Sequence, residues 1–233
     1  MMIMVLIPAY NEEKNIRGVI EEIRSNLPEA RIVVINDCST DGTRKILEEI
    51  EDIKVLNHPF NLGIGGAIRT GFHYFLENDF DVLLRIDGDG QHPPSQGKEL
   101  IKPIIEEKAE AVIGSRFLQK EGYLSSPTRR GGIKLLTLLS SLILKQKITD
   151  NTSGFKAYTR NAVKLMIQDY PLDYPEPIEV YLLAKRGIRI VEIPVIMRER
   201  QLGVSSIGVL DSYYYLIKVL LTILVKYMIG GKE

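Results

Sequence analysis

Two aspartates separated by one glycine, Asp87 and Asp89, are the strongest candidates for chemistry in the sequence. They follow an apolar run at residues 82–86, which is typical of a buried strand that ends abruptly at glycines. Carboxylates at this spacing can turn toward one cation, and Mg²⁺ binds through one or two carboxylates together with substrate phosphates. The alternative is a turn that caps the next helix, since Asp-Gly pairs are common in turns.

The chain around this pair alternates apolar runs with amphipathic segments. The runs lie at residues 3–8, 32–35, 54–56, 82–86 and 111–114. This alternation predicts an α/β fold with a mostly parallel sheet and helices on both faces. Asn11 is expected to cap the first helix. Because the carboxyl ends of parallel strands share one edge, we expect the polar segments PAYNEE, NDCSTD, NHPFNLG and DGDGQH to converge there on one site.

The ligand that these segments favour is a nucleotide-sugar. The dinucleotide fingerprint fails, because Ile68 stands where a third glycine would follow Gly63 and Gly65, and the phosphate-loop pattern is absent. Asp37 follows the second apolar run and can accept a hydrogen bond from a base or a ribose. NAD binding and ATP hydrolysis therefore rank low.

Composition fits one globular domain with a core, since 45% of the 233 residues are hydrophobic and 26% are charged. The single cysteine, Cys38, excludes an internal disulfide and fits a reducing compartment. We find no signal peptide and no apolar run near the ~20 residues of a membrane-spanning helix. We therefore expect a cytoplasmic protein without membrane spans.

Charge is unevenly distributed although the net charge is zero. Residues 1–115 carry 12 Lys and Arg against 20 Asp and Glu, whereas residues 116–233 carry 18 against 10. The basic second part predicts an anionic partner, and the fork of arginine suits phosphate. The candidates for contact with an acceptor phosphate are Arg116, Arg129, Arg130, Lys156, Arg198 and Arg200. A solvated surface is the alternative for Arg129, Arg130 and Arg200.

Glu176 is the candidate general base, which an acceptor hydroxyl would need near the sugar carbon. An acceptor phosphate needs none, because its second pKa of about 6 leaves it largely ionised at neutral pH. Pro175 and Pro177 flank Glu176 and equally favour a rigid loop. Both interpretations stay open.

Two segments, residues 133–147 and 213–229, are more apolar than helices of soluble proteins usually are. Their polar residues fall on one narrow stripe and include lysines but no acids, as in helices at a membrane interface. We expect both to contact a membrane surface. The alternative is that they pack on each other or on a second copy of the chain.

Five motifs occur in a fixed order: IPAYNEE at 7–13, NDCSTDGT at 36–43, DGDGQHPP at 87–94, GSRF at 114–117 and SGFKAY at 153–158. Over residues 3–210 they resemble glycosyltransferase family 2, especially its branch related to dolichol-phosphate mannose synthase. Residues 174–207 are similar to a prokaryotic branch that serves cell-envelope polysaccharides, some members of which charge a polyprenyl phosphate with one sugar. Ile178 stands where a second acid is expected, with Glu179 one place later.

The resemblance implies a GT-A fold, a single Rossmann-like α/β domain that uses Mg²⁺ or Mn²⁺ and a UDP- or GDP-sugar. By motif, the nucleoside would be held by Pro8, Tyr10, Glu12 and Asp37. The metal and the diphosphate would be held by Asp87, Asp89 and Gln91. Asp89, Arg116 and Glu176 complete the candidate catalytic set.

These observations together predict an inverting, metal-dependent hexosyltransferase at the cytoplasmic face of the cell membrane. It would move one sugar from a nucleotide-sugar to a polyprenyl phosphate, dolichyl or undecaprenyl. Its glycosyltransferase domain would span residues 1–207, with a nucleotide-sugar half (1–115) and an acceptor half (116–207). A C-terminal amphipathic helix would follow at 208–233.

Three other functions remain as alternatives. One is a glycosyltransferase with a hydroxyl acceptor on a lipid-linked glycan, and another is a non-catalytic nucleotide-binding regulator. The third is a nucleotidyltransferase, which the acidic PAYNEE segment disfavours. A small membrane protein or a second copy of the chain is a candidate partner, and no nucleic-acid partner is expected.

Overall fold

Strands and helices alternate along the first 115 residues, as the apolar runs predict. The computed structural model describes residues 1–119, 148–173 and 175–199, together with Lys218, Leu221, Thr222 and Val225. Its strands are β1 (Ile3–Ala9), β2 (Arg31–Asn36), β3 (Lys54–Asn57), β4 (Val82–Arg85), β5 (Ala111–Ser115), β6 (Lys156–Thr159) and β7 (Ile190–Pro194). Its helices are α1 (Ile16–Asn26), α2 (Thr43–Glu48), α3 (Gly63–Glu77), α4 (Gly97–Ile105), α5 (Arg160–Met166) and α6 (Pro175–Lys185), with 3₁₀ turns at Pro94–Gln96 and Ile167–Asp169.

The described strands form one sheet in the order β3-β2-β1-β4-β6-β5-β7. All neighbouring pairs are parallel except those of β6, which runs antiparallel to both β4 and β5. The predicted mostly parallel sheet is therefore confirmed. Because β6 comes from the later part of the chain, the two predicted halves share one sheet.

The core lies on both faces of this sheet. Successive side chains of β1 alternate, so Val5 and Ile7 pack with the apolar stripe of α1, while Met4 and Leu6 pack with that of α3. All four β1 side chains are fully buried. Burial on both faces explains why the strand reads as a continuous apolar run rather than as an alternating one.

Helix α1 begins later than the sequence predicts. The expected cap, Asn11, has a left-handed backbone (φ 57°) and lies four residues before Asn15, where the helix is capped. The Asn11 side chain instead accepts a hydrogen bond from the backbone N–H of Thr40 (2.8 Å). Asn11 therefore joins two loops, and the predicted cap is wrong.

No helix in the described ranges is long and apolar enough to cross a membrane. Residues 133–147 and most of residues 213–229 lie outside the described part of the chain, so their contact with a membrane stays a prediction. The four described residues of the second segment are helical. Among them, Lys218 Nζ lies 2.7 Å from a carboxylate oxygen of Asp173.

Candidate active site

The Asp-Gly-Asp loop begins where β4 ends, at the sheet edge shared by the carboxyl ends of the parallel strands. Its shape is fixed by hydrogen bonds from backbone to side chain. The N–H of Asp87 donates to His92 Nδ1 (3.0 Å), and the N–H of Gln91 donates to Asp89 Oδ1 (3.0 Å). Both aspartates are half-buried, so both remain accessible to a ligand from solvent.

The loop contains two carboxylates that could bind a metal, those of Asp87 and Asp89. The described residues contain no group of three or more His, Cys, Asp or Glu side chains that could hold one. A dication that keeps open positions for substrate phosphates fits such a pair. Gln91 Nε2 lies 3.4 Å from the carbonyl oxygen of Arg198, so Gln91 would present its side-chain oxygen to a metal.

His92 supports the loop from behind. Its ring is buried and stacks on Phe155, with ring centroids 5.1 Å apart. Burial lowers the pKa of His92 despite the opposing effect of Asp87, so the ring is neutral at pH 7. Because Nδ1 accepts from the N–H of Asp87, the proton sits on Nε2, 3.7 Å from Asp87 Oδ2.

Arg85 is the main site residue that sequence reasoning missed. Only 1% of its side chain is exposed, and it donates from Nε to Asp87 Oδ1 (3.2 Å) and from Nη2 to Glu176 Oε1 (2.7 Å). Burial alone would raise the pKa of Asp87, but Arg85 and then His92 outweigh it and lower that pKa. The available signal was a cation inside an apolar run, since a buried arginine needs a partner.

Glu176 lies in the first turn of α6, with 17% of its side chain exposed. One turn on, Glu179 is fully buried and accepts from Lys156 Nζ (3.0 Å) and from the hydroxyls of Tyr158 and Tyr170. Burial and the charge of Glu179 raise the pKa of both tyrosines well above the usual value, so both remain proton donors.

Lys156 requires a correction. The sequence places it among the residues that contact an acceptor phosphate, but the structure buries it completely in β6. Its Nζ is paired with Glu179 and donates to the carbonyl oxygen of Glu176 (3.3 Å). Because its Nζ is buried and paired, Lys156 is not at the surface where an acceptor phosphate would bind.

Asp37 directly follows β2, and its side chain is buried. Its Oδ1 accepts from the backbone N–H of Leu62 (2.8 Å) and lies 2.7 Å from His58 Nδ1. His58 Nε2 lies in turn 2.9 Å from Thr70 Oγ1 on α3. This chain of contacts fixes the carboxylate at the sheet edge, where the sequence expects the nucleoside.

The loops after β1 and β2 are tied together. The N–H of Glu12 donates to Thr43 Oγ1 (2.8 Å), and the N–H of Gly42 donates to Glu13 Oε2 (2.8 Å). Tyr10, with 47% of its surface exposed, lies at the rim of this pair of loops. The residues predicted to hold the nucleoside, Pro8, Tyr10, Glu12 and Asp37, thus lie at the ends of adjacent strands.

Arg116 follows β5 and forms a bidentate ion pair with Asp150, with both N–O distances at 2.7 Å. It also donates to Thr152 Oγ1 (2.7 Å), and 16% of its side chain is exposed. Asp150 is fully buried, which raises its pKa, but the hydrogen bonds and charge of Arg116 outweigh burial and lower it.

Of the remaining acceptor candidates, Arg198 lies in the described part of the chain. Arg198 pairs with Glu22 on α1 through both terminal nitrogens (2.7 and 2.6 Å), and its backbone N–H donates to the carbonyl oxygen of Gln91 (3.0 Å). Arg129, Arg130 and Arg200 lie outside the described residues. The predicted acceptor cluster therefore stays a prediction for those three.

Residues 4–166, more than half of the chain, match the sequence profile described as Glycosyl transferase family 2. The chain belongs to glycosyl transferase family 2. The family assignment made from the five motifs is thereby confirmed.

Several curated relatives of this family 2 chain match nearly its whole length. It is 32% identical to an undecaprenyl-phosphate mannosyltransferase of Micrococcus luteus, over 89% of this chain and 88% of that protein. It is 30% identical to a UDP-N-acetylglucosamine–dolichyl-phosphate N-acetylglucosaminyltransferase of Methanococcus voltae, over 83% and 84%. It is also 30% identical to a polyprenol monophosphomannose synthase of Mycolicibacterium smegmatis, over 88% and 80%.

Solved structures with the same fold include the glucosyl-3-phosphoglycerate synthase of Mycobacterium tuberculosis in complex with Mn²⁺, UDP-glucose and phosphoglyceric acid. It aligns with a TM-score of 0.73 at 19% identity, over 97% of this chain and 79% of that chain. The family 2 chain therefore has the predicted GT-A fold.

Proposed function

We propose that this protein transfers one sugar from a nucleotide-sugar to a polyprenyl phosphate, with inversion at the sugar carbon. The observation that carries the proposal is the Asp87–Asp89 loop at the sheet edge of a family 2 chain. Relatives that span more than four-fifths of the chain are named for transfer to undecaprenyl, dolichyl or polyprenol phosphates. These relatives favour a lipid phosphate as the acceptor.

The donor side supports a nucleotide-sugar. Tyr10 and Asp37 directly follow the neighbouring strands β1 and β2, where a base and a ribose would bind. The aspartate loop follows β4, the neighbour of β1 on its other side. A metal held by Asp87 and Asp89 would neutralise the diphosphate as it leaves. The Mn²⁺ and UDP-glucose in the structural neighbour support the same donor class and metal class.

The acceptor side supports a phosphate rather than a hydroxyl. A hydroxyl needs a base, and the candidate base Glu176 is held by the buried cation of Arg85 (2.7 Å). A phosphate oxygen is already ionised and attacks without one. We assign Arg116 to the acceptor phosphate and place the protein on the cytoplasmic face of the membrane that carries the lipid.

A transfer assay tests this function. Purified protein is incubated with labelled UDP- and GDP-sugars, Mg²⁺ or Mn²⁺, and either a polyprenyl phosphate or the matching polyprenol. We expect label in the lipid fraction with the phosphate and none with the alcohol, and we expect EDTA to abolish transfer. Transfer to a lipid-linked glycan but not to the monophosphate would instead establish the hydroxyl-acceptor alternative.

A further inference from the structure

Arg85 occupies a position that is costly for an arginine. It lies on β4 between Leu6 of β1 and Lys156 of β6, with 1% of its side chain exposed. Its Nη1 is buried and makes no hydrogen bond with the described residues. A buried donor without a partner destabilises a fold, and an apolar residue often replaces a buried ion pair without loss of stability. Stability does not explain this arginine.

Its contacts give a better explanation, because the guanidinium joins two carboxylates from distant parts of the chain. Nε donates to Asp87 Oδ1 (3.2 Å), in the loop assigned to the metal and the diphosphate. Nη2 donates to Glu176 Oε1 (2.7 Å), in the first turn of α6. Since the guanidinium is planar and rigid, the position of one carboxylate constrains that of the other.

Glu176 is itself held in place through contacts between its helix, α6, and Lys156 of β6. The carbonyl oxygen of Glu176 accepts from Lys156 Nζ (3.3 Å), and the same nitrogen pairs with Glu179 one turn on. The hydroxyls of Tyr158 and Tyr170 donate to Glu179 as well. The first turn of α6 is therefore fixed to β6, which gives Glu176 a defined position from which to contact Arg85.

We infer that Arg85 and Glu176 form a clamp that positions the Asp87 carboxylate, and that Glu176 is a positioning residue rather than the general base. Arg85 holds Asp87, Glu176 holds Arg85, and the Lys156–Glu179 pair holds the turn that carries Glu176. The inference rests on the proposed function, since it assigns Asp87 to the metal-diphosphate side of that site.

Three substitutions of Glu176 separate this role from that of a base. Glu176→Gln keeps the reach to Arg85 and removes the charge, whereas Glu176→Asp keeps the charge and shortens the reach. Glu176→Ala removes both. A clamp requires a side chain long enough to contact Arg85. We therefore expect the Gln variant to turn over fastest, within about tenfold of the unmodified protein, the Asp variant to be slower and the Ala variant to be slowest. A base requires a carboxylate, so it would place Asp above Gln, and Gln would lose about 10²–10⁴-fold.

Binding of Mn²⁺ in the presence of UDP supplies a readout that does not depend on turnover. It is followed by electron paramagnetic resonance of free Mn²⁺. Removal of groups that support metal ligands weakens metal affinity about 10–100-fold. We expect a loss of this size for Glu176→Ala, an intermediate loss for Asp and a small one for Gln. If all three variants bind Mn²⁺ normally, the clamp does not position Asp87 and the inference fails.

Glu49 provides a matched control. Its ion pair with Arg17 has the same 2.7 Å separation, but both side chains are about half exposed. The same three substitutions at Glu49 should change neither Mn²⁺ binding nor turnover. If Glu176→Ala does not fold, the order of Gln and Asp still decides. If the unmodified protein transfers no sugar to lipid, the proposed function fails, while Mn²⁺ binding in the presence of UDP still tests the clamp.

Discussion

At the scale of single residues, the two aspartates of the loop are held differently. Asp87 accepts a hydrogen bond from the buried Arg85, whereas Asp89 accepts one from a backbone N–H of its own loop. A substitution at Asp89 therefore leaves the contact between Arg85 and Asp87 in place, whereas one at Asp87 removes it. This difference makes Asp89 the cleaner site at which to test the metal assignment.

We expect Asp89→Asn to lower transfer at least about 100-fold, because it removes a charged metal ligand and a ligand matters at least as much as its supporting groups. The asparagine oxygen can still accept from the N–H of Gln91, so the melting temperature should change little. The comparison variant is Asp79→Asn, at an exposed position after α3. Full activity of Asp89→Asn would contradict the metal assignment.

Arg116 can be tested only together with its partner. Arg116→Ala alone leaves the buried Asp150 unpaired, and we expect it to destabilise the protein by about 3 kcal/mol in urea unfolding. The double variant with Asp150→Asn should regain most of that stability. A single variant that is as stable as the unmodified protein would contradict this expectation.

The same double variant tests the acceptor role. Charge-assisted hydrogen bonds to phosphate contribute about 1.5–3 kcal/mol each, so turnover with polyprenyl phosphate should fall about 10-fold or more. Nucleotide binding in calorimetry should be nearly unchanged. If nucleotide affinity collapses instead, Arg116 belongs to the donor site.

At the scale of elements, the reversed strand β6 brings the SGF segment to the edge where the parallel strands end. Gly154 precedes β6 and lies directly against the loop. A Cβ at this position would meet Asp87 Oδ2 at 2.8 Å, Arg85 Nη2 at 3.0 Å and His92 Cε1 at 3.1 Å. A glycine is therefore required by close approach rather than by backbone conformation.

We expect Gly154→Ala to lower transfer about 10-fold or more, because the added methyl displaces the Asp87 carboxylate from Arg85. Gly18→Ala is the matched control, since Gly18 lies in α1 with no atom within 4 Å of the added methyl. That substitution should raise stability by about 0.5–1 kcal/mol and leave transfer unchanged. Equal activity of both variants would show that the close contact of Gly154 with the aspartate loop does not matter for transfer.

At the scale of the whole molecule, charge and apolar surface are segregated along the chain. The first 115 residues are acidic and the later part is basic, and both strongly apolar segments fall in the later part. Anionic lipid headgroups attract such basic segments. For the proposed function, this distribution would turn the donor half toward the cytoplasm and the acceptor half toward the bilayer.

Deletion of residues 213–233 should release the protein from anionic liposomes in a flotation assay, while nucleotide binding persists. The 17-residue segment 213–229 would be about 25 Å long as a helix, shorter than the ~30 Å hydrocarbon core, and it contains Lys218 and Lys226. It is therefore expected to lie in the interface rather than to span the bilayer. If the full-length protein never floats, the segment is an interface between copies of the chain.

Local patterns in the sequence were sufficient for the first five strands and for the family. Five apolar runs matched β1 to β5 because nearly all side chains of β1, β2, β4 and β5 are buried. The motifs located Asp87 and Asp89 because a loop that follows a parallel strand must lie at the ligand-binding edge. Each of these inferences depends on neighbours in sequence.

Only the tertiary structure revealed which distant residues meet. Arg85 and Glu176 are 91 positions apart, and their contact depends on β6 entering the sheet between β4 and β5. The same insertion buried Lys156, which the charge pattern had assigned to the surface. Strand order and the pairing of buried charges arise from long-range packing, and a single sequence records only the charges, not the partners that compensate their burial.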